Sequence, residues 1–125
     1  MTNLQKDPLT EKIIGCAIEV HRRLGPGLLE SIYESALCIE FELSALSFQR
    51  QFLLPLKYRD RIIGDFRLDL VVENAVVLEL KSVDRMDAVF EAQLLSYLKL
   101  SSIKTGLLIN FNRRLLRDGI KRFVL

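Results

Sequence analysis

Apolar residues recur at two different spacings along this chain, and the change between them falls near residue 50. Ile13, Ile14, Ala17, Ile18, His21 and Leu24 follow the three-to-four-residue spacing of one helix face. Asp7-Pro8 stands before them as an N-cap and a proline at the first helical position, which suits a helix start. Gly25-Pro26-Gly27 must stop that helix. A second helix is expected over residues 28–43, with Leu29, Ile32, Tyr33, Ala36, Leu37 and Phe41 as its apolar stripe. After residue 50 the residue types change to β-formers. Residues 51–58, 61–72 and 75–81 read as three consecutive antiparallel strands, because Arg59-Asp60 and Glu73-Asn74 between them suit tight turns. Asp87 or Asp84 can cap a third helix over residues 88–100, apolar on most faces and therefore expected to be buried. Residues 106–110 read as a short buried strand. The tail from 115 to 125 stays ambiguous: Asp118-Gly119 suggests a turn, and 120–125 fits either a last strand or a helix end.

The order α-α-β-β-β-α-β places a helix between two strands as a crossover, so 106–110 should run parallel to 75–81. The fold class is thus α/β, bordering on α+β, with helices flanking a mixed sheet. A length of 125 residues suits a single domain over 1–125. Hydrophobic residues make up 50% and charged residues 27%, an ordinary globular balance, while six glycines and three prolines exclude fibrous and low-complexity classes. Cys16 and Cys38 lie in apolar periodic segments with no CxxC, which reads as buried thiols in a reducing compartment. The first eight residues are polar and no apolar run follows that resembles a signal segment. No apolar run reaches the roughly 20 residues of a membrane helix. The expectation is a cytoplasmic protein that does not enter membranes.

Charge alters this picture only when read along the chain. The net charge is +2. Residues 1–100 carry 12 basic and 15 acidic side chains, whereas 101–125 carry Lys104, Arg113, Arg114, Arg117, Lys121 and Arg122 against Asp118 alone. That tail is either a solvated basic element or a phosphate-facing edge, since Lys and Arg supply most sequence-independent affinity for nucleic acid.

The candidate chemistry lies in the strands. Asp69, Glu79 and Lys81 interrupt runs of Leu, Val and Ile, where a charge is costly unless paired or metal-bound. Glu79 and Lys81 are two apart and share a strand face. A two-residue turn at Glu73-Asn74 would pair residue 69 with 78 and send Asp69 to the opposite face. A three-residue loop, 73–75, pairs Asp69 with Glu79 directly, and this register is the one expected. Two neighbouring carboxylates repel, and a divalent cation removes the conflict. Mg²⁺ takes oxygen ligands and bridges to phosphates, which two strand carboxylates and a backbone carbonyl can accommodate. The lysine then sits where it can orient a nucleophile or offset charge building on phosphorus. Gln93 and Tyr97, i and i+4 on the following helix, project from one face of it. Glu30, at the start of the second helix, is either a first-turn carboxylate favoured by the helix dipole or a third carboxylate beside the metal.

These residues resemble a family. Gly27-Leu-Leu-Glu30-Ser-Ile-Tyr33 matches the GxxExxY signature of small proteins placed in the PD-(D/E)xK phosphodiesterase superfamily, which has a restriction-endonuclease-like core. The likeness continues through residues 20–30, Arg67-Leu-Asp69-Leu-Val-Val, Leu78-Glu79-Leu-Lys81, Glu91-Ala-Gln93-Leu-Leu-Ser-Tyr97-Leu and Gly106-Leu-Leu-Ile-Asn-Phe111. Leu68 stands where the motif's nominal proline would be. The resemblance implies that Asp69 and Glu79 hold Mg²⁺ or Mn²⁺ with the Leu80 carbonyl, that Glu30 completes the site, and that Lys81 assists catalysis. Gln93 and Tyr97 match the QxxxY motif of RecB-type members. It also implies an alternative for His21, which the residue pattern alone reads as a hydrogen-bonded helix residue: a ligand near the metal. Arg67, Arg113, Arg114 and Lys121 are candidate phosphate contacts.

Two function classes follow. One is a divalent-metal-dependent nuclease acting on DNA ahead of RNA. The other is a catalytically silent nucleic-acid-binding or assembly module on the same fold. A chain of 125 residues has no separate domain for target recognition, which points to a homodimer or a partner protein supplying it.

Overall fold

The computed structural model describes residues 7–125. The polar segment 1–6, part of the stretch read as lacking a signal segment, lies outside the described residues. Helix α1 spans Pro8–Leu24 and starts as expected: the Asp7 side chain accepts from the Leu9 amide and the Thr10 hydroxyl. Helix α2 spans Glu30–Leu43, two residues shorter at its start than the expected 28–43. Strands β1 (Phe48–Tyr58), β2 (Arg61–Val72) and β3 (Val76–Lys81) form the expected antiparallel run. Helix α3 spans Ala88–Ser101, and it is Asp87 that caps it, accepting from the Val89 amide. Strand β4 (Thr105–Asn110) returns parallel to β3. The ambiguous tail resolves into a single 3₁₀ turn, Leu116–Gly119, and a final strand β5, Ile120–Val124, antiparallel to β4. β5 pairs the outer edge of β4, whose N–H and C=O groups would otherwise lack partners.

The sheet order is β1-β2-β3-β4-β5. One face carries Leu70, Val72, Leu78, Leu80, Leu107 and Ile109, which pack with Ile13, Ala17 and Val20 of α1 and Tyr33, Leu37 and Phe41 of α2. The other face presents Leu54, Leu68, Val71, Val77 and Leu108 to Leu94, Tyr97 and Leu98 of α3. This is an α/β arrangement consistent with a restriction-endonuclease-like core. Cys16 and Cys38 are free and buried. Among the described residues, no helix is long and apolar enough to cross a membrane.

Three expectations need correcting. The third helix is not buried on most faces: Val89, Leu95 and Leu100 remain exposed because only the sheet side of α3 is covered. Leu29 and Ile32 belong to the expected stripe of α2, yet both are exposed and line an open pocket of about 620 Å³ with Gly27, Leu28 and Ser82. Ile18 and Leu24 likewise lie outside the buried face of α1, which runs through Ile13, Cys16, Ala17 and Val20.

Candidate active site

The register on which the site depends is set at the turn between β2 and β3. Three residues, 73–75, separate the paired Val72 and Val76, and the Ala75 amide donates to the Val72 carbonyl at 2.9 Å. Glu73 and Asn74 take left-handed φ values of 54° and 53°. The Glu73 carboxylate also accepts from the amide and hydroxyl of Ser47, which ties the turn to the start of β1. The ladder then runs Val72↔Val76, Val71↔Val77, Leu70↔Leu78. One further step brings Asp69 opposite Glu79, as the three-residue loop requires.

At that step the side chains replace the ladder. Glu79 Oε1 accepts from the Asp69 amide at 3.2 Å, and Asp69 Oδ2 accepts from the Leu80 amide at 2.8 Å. The reason is a change of face in β2. Phe66 and Leu68 pack toward α3, whereas Leu70 and Val72 pack toward α1 and α2, although strict alternation would put all four on one side. β1 changes face at the matching position. Gln51 has φ of 50° and interrupts the pairing between Arg50↔Leu70 and Phe52↔Leu68. Beyond this kink β2 parts from β3, and Asp69 occupies the fork.

Burial, and after it the charge of neighbouring carboxylates, raises both acids of the fork. Glu79 is buried, and its carboxyl is pushed up to about 8, first by burial and then by the negative charge of Asp69. Asp69 is also held above the ordinary carboxylate range, by burial, against the opposing pull of the Leu80 amide. Lys81 favours the ionised form of both. Its Nζ lies 4.4 Å from the centre of the Phe90 ring, so α3 steadies the lysine by a cation–π contact. Tyr97 is buried on the same side against Phe66, and its hydroxyl is pushed up by burial and then by Glu79 and Asp69. Gln93, one turn earlier, is exposed.

A second approach to Asp69 comes from α2. A pocket of about 250 Å³ is lined by Glu30, Ser31, Glu34, Gln51, Asp69 and Leu80. Glu30 opens α2 and is exposed at this pocket. Its position follows from the bend before it, where Gly25 and Gly27 have φ of 72° and 94°. Tyr33 closes the bend: fully buried, it donates to the Gly25 carbonyl and accepts from the Leu28 amide, with its ring stacked 4.4 Å from that of Phe111. Ser82, following Lys81, donates its hydroxyl to the Leu28 carbonyl and joins the end of β3 to the same bend.

Glu34 and Gln51, which meet each other in this pocket, were missed from sequence. Glu34 is buried and accepts from the Arg50 guanidinium at 3.0 and 3.1 Å and from the Gln51 side-chain Nε2 at 2.8 Å. Its placement one helical turn after Glu30 was a usable signal, since i and i+4 share a face. Gln51 offered none, because its role depends on the left-handed kink.

Other expected residues lie elsewhere. His21 is buried with Nε2 2.7 Å from the Arg113 carbonyl, and it lines a different pocket with Ile18, Arg114 and Leu116. The structure does not bring it to Asp69. Arg113 Nη1 donates to the carbonyls of Val83, Asp84 and Asn112, and Lys121 pairs with Glu91 at 2.8 Å. Arg67 and Arg114 are exposed.

The donor set can be tested against a metal ion. A buried carboxylate whose proton affinity is raised by a half-buried neighbour suits a hard divalent cation, which would relieve the repulsion. The Leu80 carbonyl leaves the same strand edge as its N–H, the edge that faces Asp69. Among the described residues, however, no group of three or more His, Cys, Asp or Glu side chains is gathered closely enough to hold an ion. The chemistry fits, with two carboxylates in the fork and further ones at its α2 margin.

The family model for the PD-(D/E)XK nuclease superfamily matches residues 7–123 of the chain. Neither a search of curated proteins nor one of solved structures returns a match.

Proposed function

The chain belongs to the PD-(D/E)XK nuclease superfamily, and on that premise we propose that it hydrolyses phosphodiester bonds in nucleic acid, DNA ahead of RNA, as a small member of the GxxExxY type. The observation that carries this reading is the fork at Asp69, where the register sets Asp69 against Glu79 and puts Lys81 on the Glu79 face. Asp69 and Glu79, with the Leu80 carbonyl and Glu30, are the residues that would hold Mg²⁺ or Mn²⁺. When bound, such an ion supplies charge neutralisation and an activated water. Lys81 lies on the Glu79 face of its strand and favours the ionised form of both carboxylates, and from there its ammonium would hold a nucleophile in place and offset charge building on the phosphate oxygens. The buried Tyr97 keeps bulk water from the α3 side of the fork, and Gln93 on the same helix face meets the substrate. Recognition of a target falls to a second copy or a partner chain.

Cleavage of plasmid and single-stranded DNA with Mg²⁺, Mn²⁺ or EDTA tests the proposal. Divalent-dependent cleavage that disappears in Lys81→Ala is the expected result, and equal cleavage by both proteins would refute it. A catalytically silent binding module is favoured by one observation, the engagement of Lys81 with Phe90 rather than with either carboxylate. A wild-type protein that binds DNA yet shows no thermal shift with divalent ions would support that reading instead.

A further inference from the structure

Of the six cations in the tail, which the sequence leaves open as a solvated element or a phosphate-facing edge, three are engaged within the molecule. Arg113 is held by three carbonyls, Lys121 by Glu91 and Arg122 by Asp7. Residues 1–100 are acidic on balance. The tail thus offers a polyanion only the exposed Lys104, Arg114 and Arg117, and further cations must come from another surface.

The hairpin of β1 and β2 supplies them. β2 pairs with β3 only over Leu70–Val72, so on the other side of Asp69 the hairpin leaves the sheet as a two-stranded ribbon. Phe52, Leu54, Phe66 and Leu68 rest on the α3 side near its root, and every residue from 57 to 65 is exposed. The ribbon carries Lys57, Arg59, Arg61 and Arg67 against Asp60 and Asp65. No ion pair among the described residues involves any of these four cations. Arg59 and Asp60, with φ of 49° and 65°, form the tight turn at the tip. Tyr58 is exposed there with the Arg59 guanidinium 5.9 Å from its ring centre.

We propose that this arm grips the nucleic-acid backbone and lays it across the fork at Asp69, an inference that rests on the nuclease reading of that fork. A two-stranded ribbon fits a major groove about 12 Å wide. At about 3.3 Å per residue, the arm reaches roughly 30 Å from Asp69 to its turn. Arg67 stands two residues from Asp69, so phosphates followed along the arm arrive at the carboxylates. The exposed Tyr58 offers a face on which a base can stack. Exposed Ile62 and Ile63 would also suit a second copy of the chain, but pairing two such arms sets like charges against each other.

The test measures binding of the full chain to a short labelled duplex and to a single strand by fluorescence anisotropy, in EDTA, between about 50 and 200 mM salt. In Lys57→Gln/Arg59→Gln/Arg61→Gln, the slope of log affinity against log salt should become shallower by about 3, near one for each phosphate contact. Lys12→Gln/Lys99→Gln, which alters charge elsewhere, should keep the wild-type slope. If circular dichroism shows that the triple variant has lost its fold, Arg61→Gln alone decides, with an expected change of about one. A loss with the duplex or with the single strand supports the grip and identifies the form bound. Wild-type slopes in the arm variants overturn the proposal and leave the nuclease reading standing. Absence of binding by the wild type to both probes overturns the grip, and cleavage with Mg²⁺ or Mn²⁺ then decides the nuclease reading separately. A change from dimer to monomer in sedimentation without a change of slope makes the arm a self-association surface and overturns the grip.

Discussion

Replacing Glu79 by glutamine should stabilise the metal-free protein, and the effect should depend on pH in a defined direction. In the fold the Glu79 carboxyl is pushed from an ordinary 4.5 to about 8, by burial first and by Asp69 second. The folded value lies above the unfolded one, so the fold holds this proton more tightly than the open chain does. Stability is then greatest below the unfolded value and falls as pH rises, levelling off once the folded group also ionises. Each pH unit in that window costs about 1.4 kcal/mol, which amounts to roughly 3 kcal/mol at pH 7. Glutamine never ionises and keeps an oxygen to accept from the Asp69 amide. In EDTA, Glu79→Gln should therefore exceed the wild type by about 2–3 kcal/mol at pH 7, with the gap closing toward pH 4.5. Urea unfolding across a pH series reads this directly. Mg²⁺ should raise the midpoint of the wild type and leave that of the variant in place, because a ligand stabilises only the state it binds. A variant less stable than the wild type at pH 8, or a gap that does not vary with pH, would refute the account of the fork.

Two stability predictions concern the framework around it. Tyr33→Phe removes a buried hydroxyl that serves both Gly25 and Leu28, and should lower unfolding stability by about 1–3 kcal/mol. A urea midpoint equal to the wild type would show that the bend holds itself. Gly119→Ala would drive a methyl group into the carbonyl oxygen of the fully buried Asn110, at a cost of about 1–3 kcal/mol in thermal or urea unfolding. No change there would mean that the 3₁₀ turn moves freely against β4.

Much of this architecture was legible in the residues. Period and turn chemistry place the helices and the first four strands, and a three-residue loop at 73–75 sets Asp69 against Glu79. What local pattern does not carry is side-chain pairing across elements. Glu34 looks like a solvated helix carboxylate until Arg50 and Gln51 reach it from β1. The basic tail looks available until Arg113 turns to the carbonyls after β3. Helix α3 misled for a related reason. Its apolar content suggested burial all round, but the fold covers only the side facing the sheet, and the remaining leucines and valine stay in solvent. The tail strand was undecidable from 120–125 alone, because the edge of β4 selects it.

The bond network around the bend before α2 bears on how related chains should be read. Tyr33 fastens the bend to the helix that follows, and Ser82 fastens it to the strand end beside Lys81. Gly27 and Tyr33 are thus demands of construction, while the Glu30 side chain between them takes no part in that network. The two kinds of residue share one short motif yet can be lost separately. A chain that keeps the glycine and the tyrosine but replaces the glutamate should still fold around the same fork, with a carboxylate fewer at its margin. Matching the motif as a whole would group such a chain with those that keep the glutamate, whereas reading its positions one by one would tell them apart.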